Sequence, residues 1–170
     1  MASMEAKIRK AQATESSAII DLSARVQKAL ESSGSRQVFG PLQRKVVDSA
    51  ILNGYCYVFE CAADLVGAVI VGPMAADCLY LSQLQNVVDF GHPFWVLESL
   101  MIEPGHQGKG LGLQLLTGIT ELYRPLSGTI FLDCWAGNVK LRNFYRRAGY
   151  KELGNVPEED YYITVFAKSV

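Results

Sequence analysis

Imidazole is almost missing from this chain, with His92 and His106 as its only two histidines. The four cysteines, Cys56, Cys61, Cys78 and Cys134, form no C-x-x-C pair. Metal-ligand spacing is therefore absent, no metal is expected, and the cysteines read as free thiols of a reducing compartment. No apolar run approaches the roughly 18 residues of a membrane span, and the leading MASMEAKIRK has no apolar signal core. A cytoplasmic protein with no membrane partner is the expectation. Charge of one sign is missing too: 16 Lys+Arg against 17 Asp+Glu leave a net charge of −1. That balance speaks against nucleic acid as a partner. Internal repeats, low-complexity segments and interdomain linkers are likewise absent.

What is present is apolar and ordinary. Hydrophobic residues make up 49% of the 170 residues, enough for a single domain over 1–170 with one sizeable core. Lys7 to Gln12 reads as a short opening strand. Thr14 reads as an N-cap, followed by Ile19, Leu22, Val26 and Leu30 at helical spacing. A second helix is expected from about Pro41 through Val46, Val47, Ala50 and Ile51, ending at Asn53-Gly54. The period then changes. Tyr55 to Glu60 and Val66 to Val71 read as two strands of a hairpin, with Asp64 in its turn. Residues 75–93 form a long connection in which Leu81, Leu84 and Val88 fit a helix. A connection of this length reads either as cover for the substrate side or as a surface excursion. A helix with Leu115, Leu116, Ile119 and Leu122 stops before Pro125. Thr129 to Trp135 is a strand, Asn138 caps a helix carrying Leu141, Phe144, Tyr145 and Ala148, Gly149 closes it, and Tyr161 to Ala167 is a last strand. Strand–helix–strand beside a hairpin implies a mixed sheet.

The most informative stretch is FWVLESLMIEPGHQGKGLGLQLL, Phe94 to Leu116. An apolar run leads through Glu103-Pro104-Gly105 into a glycine-rich loop and then a helical pattern. A helix N-terminus carries unpaired N–H groups and the positive end of a dipole, and so attracts anions. Two common phosphate loops fail here. A Walker A loop needs Lys then Ser or Thr after its second glycine, where Leu111 stands. A dinucleotide fingerprint needs glycine where Leu113 stands.

Gln107-Gly108-Lys109-Gly110-Leu111-Gly112 resembles the Q/R-x-x-G-x-G/A loop of the GNAT superfamily of acyl-CoA-dependent N-acetyltransferases. Downstream, Asn138, Tyr145 seven positions later, and Gly149-Tyr150 are similar to that family's N-x-x-x-x-x-x-Y…G-F/Y helix. The resemblance covers nearly the whole chain. It implies an α/β (α+β) fold with a central mixed, mostly antiparallel twisted sheet flanked by about four helices.

It also implies roles for particular residues. Backbone groups of Leu100, Met101 and Ile102 match the strand along which pantetheine lies. Gln107, Gly108, Lys109, Gly110, Leu111 and Gly112 match the pyrophosphate cradle of acetyl-CoA, and Asn138 matches a pantetheine partner. Tyr145 matches the general acid that protonates the leaving thiolate, against the plainer reading of a core-facing aromatic. An amine of pKa about 10.4 must lose a proton before it attacks, and Glu98 and Asp133 are the two carboxylates that could take it. Glu98 comes slightly ahead, although its parity with Leu100 and Ile102 would turn it inward unless the strand bulges. Trp135 and Cys134 could border the acyl or amine site. His106 reads as a solvated turn residue, and Lys140, Arg142, Arg146 and Arg147 as a solvated helix face. A small-molecule amine is the favoured acceptor. A protein N-terminus or lysine, and a non-catalytic acyl-CoA sensor, are the alternatives; a homodimer is a family-level expectation.

Overall fold

The computed structural model of the chain describes residues 6–170; the leading MASME, part of the stretch read as lacking a signal core, lies outside the described residues. Seven strands and five α-helices follow one another as β1 (Ala6–Lys10), α1 (Ser16–Ser32), α2 (Arg44–Leu52), β2 (Cys56–Cys61), β3 (Asp64–Pro73), α3 (Leu79–Gln83), β4 (Phe94–Ile102), α4 (Leu111–Tyr123), β5 (Thr129–Trp135), α5 (Val139–Arg147), β6 (Lys151–Pro157) and β7 (Tyr162–Ser169). The strand order is β1-β2-β3-β4-β5-β7-β6. The β4–β5 pair is parallel, and the β1–β2, β2–β3, β5–β7 and β6–β7 pairs are antiparallel.

The chain folds as two compact units. The first contains the described residues up to Gly34 with Val38–Val71 and Ser99–Ile119. Its core is built from Ile19, Leu22 and Val26 of α1, Val47 and Ala50 of α2, Val58, Ala68 and Ile70 of the hairpin, and Met101. The helical spacing of the α1 residues is what puts them on one buried face. Thr14 does not cap that helix: residues 13–15 form a 3-10 turn, and Glu15 accepts from the Gln12 amide at 2.8 Å. Nor does α2 start near Pro41. Two buried polar side chains of α1 tie the preceding segment down, Gln27 Oε1 accepting from the Phe39 and Gly40 amides at 2.6 and 2.9 Å and Ser23 Oγ from the Leu42 amide at 2.9 Å. Gln43 is extended, with φ −72° and ψ 139°, and α2 begins after it at Arg44. The hairpin turn is Ala62-Ala63, both with positive φ, and Asp64 already pairs with Cys61.

The second unit contains Ser35–Gln37, Gly72–Glu98 and Thr120–Val170. Tyr80, Val87, Phe94, Phe131, Val156, Ile163, Val165 and Ala167 form its core. Residues 75–93 therefore supply core. They fold as α3 and a 3-10 turn, and their inward residues are Tyr80, Leu84 and Val87, while Leu81 and Val88 are exposed. Strand β6 is one the sequence reading lacked. KELGNVP has little β propensity, but an edge strand tolerates its proline and glycine, and among the described residues β6 pairs with β7 alone, with a register shift between Glu152 and Gly154.

Candidate active site

The glycine loop belongs to the first unit. At its start Arg25 of α1 grips Glu103 with a fork, Nε at 2.9 Å from one carboxylate oxygen and an η nitrogen at 2.7 Å from the other. A 3-10 turn, Pro104–His106, follows, and the Gln107 side chain donates to the Ile102 carbonyl at 3.1 Å. Gly108 and Gly110 have φ of +75° and +79°, a backbone conformation that side chains rarely adopt. A Cβ at Gly105, Gly108 or Gly110 would meet nothing within 4 Å. The turn thus faces open space rather than packed protein. Helix α4 begins directly after it, with the Gln114 amide making an early bond to the Gly110 carbonyl at 3.1 Å. The amides just ahead of Gln114 are the donors a helix start leaves for an anion. Lys109 Nζ rests on the Gly105 carbonyl at 3.2 Å. His106 is half-buried, its Nδ1 inaccessible and without a hydrogen-bond partner, and so is not the solvated residue expected.

Strand β4 leads into this loop and is irregular at one point. Ser99 has φ of +56°, a strained value for a residue with a Cβ. The alternation of the strand breaks there: Glu98 is exposed, while Met101 and Ile102 are both buried. The inward parity expected for Glu98 therefore does not hold. Pairing of β4 with β5 is confined to Phe94–Val96 against Thr129–Phe131, so Leu100, Met101 and Ile102 lie beyond its last pair.

In the second unit Asp133 of β5 is the centre of a polar cluster. The Tyr80 hydroxyl donates to its Oδ2, and Gln37 Nε2 donates to its Oδ1 at 3.3 Å. Gln37 is itself oriented, because its Oε1 accepts from the Trp135 amide at 2.8 Å. Burial pushes the Asp133 carboxyl above the usual aspartate range, against the pull of those two hydrogen bonds. Glu98 is pushed up as well, by desolvation first and then by the charge of Asp133. Tyr80 is raised by burial and by the same carboxylate.

Tyr145 is buried on α5, with its ring centroid 5.3 Å from Phe144, 5.5 Å from Phe166 and 6.2 Å from Tyr150. Burial, then Cys134 and Asp133, raise its pKa, so its phenol keeps its proton at neutral pH. The neighbouring Cys134 thiol is pushed up to about 12, chiefly by burial. Asn138 caps α5, its Oδ1 accepting from the Leu141 amide at 3.0 Å, which leaves its amide hydrogens for any further partner. Trp135 is half-buried, its ring lying against Gly137. Of the helix cations read as a solvated face, Arg146 is exposed and Arg142 half-buried, and both pair with Glu152 of β6. No helix is long and apolar enough to cross a membrane, and no group of His, Cys, Asp and Glu is placed to hold a metal, among the described residues.

Comparison with known proteins places this arrangement. The sequence model of the acetyltransferase (GNAT) family matches residues 29–150, which run through both units. The chain belongs to that family, and it is an acetyl-CoA-dependent acyltransferase. An uncharacterized N-acetyltransferase of Bacillus subtilis (strain 168), YesJ, is 29% identical over 145 residues, covering 82% of this chain and 78% of that protein. Among solved structures, a GNAT-family acetyltransferase of Streptococcus agalactiae matches with a TM-score of 0.80 at 22% identity, over 97% of this chain and 95% of the other. The PaiA N-acetyltransferase of Thermoplasma acidophilum, solved with coenzyme A, matches at 0.71 and 14% identity, over 98% and 100%. A polyamine N-acetyltransferase of Drosophila melanogaster that forms N-acetylagmatine matches at 0.69 and 16%, over 98% and 100%. At these identities the likeness to solved structures is one of fold.

Proposed function

We propose that the chain works as one catalytic domain that moves the acetyl group of acetyl-CoA onto a primary amine of a small molecule. The open glycine turn at the start of α4 carries this reading, since donors and free space coincide there. The backbone of Gln107, Gly108, Lys109, Gly110, Leu111 and Gly112 would hold the pyrophosphate, and Lys109 would add charge by leaving the Gly105 carbonyl. Backbone groups of Leu100, Met101 and Ile102, past the last β4–β5 pair, would hold the pantetheine arm as a neighbouring strand would. The Asn138 amide would donate to the same arm.

In this reading the neutral amine attacks the thioester carbonyl, a C–N bond forms, and the C–S bond breaks. Tyr145 supplies the proton that the departing thiolate needs, which its protonated state permits. Glu98 and Asp133 are the carboxylates available to take the first proton from the ammonium form. Nothing in this sequence of steps requires a metal.

The test is thermal unfolding with saturating acetyl-CoA, CoA or NAD. Ligand at 100 times its dissociation constant stabilises by about 2.7 kcal/mol, a rise of roughly 5–10 °C in Tm for a domain of this size. A rise with both CoA species and none with NAD is expected; no rise with either CoA species refutes the reading. Turnover of agmatine but not of peptides with a free N-terminus would then support the small-molecule acceptor. The reverse would turn the reading to protein acetylation, and tight binding without turnover of any amine would turn it to an acyl-CoA sensor.

A further inference from the structure

We infer that Arg25 is a positioning residue for acetyl-CoA: it offsets the charge of the Glu103 carboxylate and so lets the glycine turn accept a diphosphate. The inference rests on the reading above, in which the turn from Gln107 to Gly112 holds that diphosphate.

Its first ground is where Glu103 stands. The residue joins β4 to the 3-10 turn Pro104–His106. Its backbone is fixed at both groups, the amide donating to the Val66 carbonyl at 2.8 Å and the carbonyl accepting from the His106 amide at 2.8 Å. The Gln107 side chain folds back to the Ile102 carbonyl at 3.1 Å. One short turn therefore separates Glu103 from the amides assigned to the diphosphate. Three residues of 3-10 helix rise about 6 Å, inside the Debye length of about 8 Å at physiological ionic strength. The Glu103 side chain is only 24% exposed, so water covers part of its charge and no more. A bare carboxylate at that range repels a doubly ionised diphosphate by on the order of tenfold in affinity.

The second ground is the counter-charge set against it. Arg25 reaches both carboxylate oxygens, Nε at 2.9 and 3.2 Å and Nη2 at 2.7 Å, from 78 positions away in the chain. Such a fork holds a carboxylate more strictly than the point charge of a lysine. Its support is rigid, because Leu22 and Val26 of α1 are buried in the core of the first unit. Asp21, also on α1, adds to the negative field at Arg25, which thus stands between two carboxylates. Lys109, on the turn itself, rests on the Gly105 carbonyl. An ion pair whose arginine is 51% exposed adds little to stability. The effect of the fork falls instead on the charge that the turn presents to its ligand.

The experiment is calorimetry of CoA binding to wild type, Arg25→Met, Arg25→Lys, Glu103→Gln and the double variant Arg25→Met/Glu103→Gln, with the Tm of each. Arg25→Met should weaken binding about tenfold, and Arg25→Lys, which keeps the charge and loses the fork, by less. Glu103→Gln should bind at least as tightly as wild type, because the repelling charge is gone. The double variant should recover to within about twofold of wild type. The Arg25→Met loss should shrink between low salt and about 1 M salt. It should persist with dephospho-CoA, which keeps the diphosphate and lacks the 3′-phosphate.

Four results overturn the inference. Equal losses in Arg25→Met and Glu103→Gln would make the pair a structural tie alone. A double variant as weak as Arg25→Met would make Arg25 a direct phosphate ligand. A loss absent with dephospho-CoA would assign the effect to the 3′-phosphate, and full affinity in Arg25→Met would leave the fork without a role in binding. A wild-type protein that binds no CoA would refute the assignment of the turn and the inference with it. With CoA bound by wild type, any of the four results overturns the inference and leaves that assignment standing.

Discussion

Gly67 on β3 sits so close to Met101 on β4 that a Cβ placed on it would lie 2.7 Å from the Met101 carbonyl oxygen and 2.9 Å from Ile102 Cδ1. Both contacts are on the strand proposed for pantetheine. Gly67→Ala must therefore push β4 away or distort it, at a cost of about 1–3 kcal/mol. The expected outcome is a Tm lower by about 2–4 °C per kcal/mol, with weakened CoA binding in calorimetry. An unchanged Tm would contradict the close approach.

The loop glycines behave oppositely. Nothing crowds Gly110, so Gly110→Ala meets only the strain of its φ of +79°. That strain is about 1 kcal/mol, a small loss in Tm. The added methyl would stand in the space assigned to the pyrophosphate, so CoA affinity should fall at least about tenfold, or 1.4 kcal/mol. A variant that keeps full CoA affinity by calorimetry would remove the loop from the binding site.

Tyr145→Phe keeps the ring among Phe144, Tyr150 and Phe166 and deletes the hydroxyl alone. Stability should change little, and kcat should fall by about 10²-fold or more at unchanged CoA affinity. Full kcat in this variant would assign the ring to the core and nothing else.

Asp133 sets a pH dependence whose sign can be worked out. Its folded carboxyl titrates above the unfolded one, because burial raises it. Between the two values the folded state binds more protons, so ionising Asp133 destabilises the fold as pH rises from about 4. Asp133→Asn removes that loss. The difference in Tm, variant minus wild type, should therefore grow from pH 4 to pH 8 in scanning calorimetry. A difference that does not vary with pH would mean that Asp133 is not desolvated.

Much of the candidate site could be proposed from the chain because it is local. Gln107 to Gly112 is one continuous turn, and Asn138 and Tyr145 lie on one short helix. Their chemistry needs only neighbours a few residues away. The alternation of β-branched and aromatic residues likewise announced β2, β5 and β7. Strand β6 carried no such pattern, since pairing with β7 rather than its own propensity makes it a strand. The starts of α1 and α2 were misplaced for a similar reason. Glu15, Ser23 and Gln27 fix the backbone ahead of each helix through side-chain hydrogen bonds, the last two from across the fold, that local propensity does not register.

By itself, then, the sequence determined the family, the loop and the order of most elements, because those depend on short-range spacing and period. Only the tertiary structure decided which polar groups meet. Gln37, Tyr80 and Asp133 are separated by 53 and 96 positions along the chain, and no local signal links them. Their contact arises because Tyr80 is drawn inward with Phe131 and Val87 to bury apolar surface. A hydroxyl carried into that core needs an acceptor, and the one it finds is the Asp133 carboxylate.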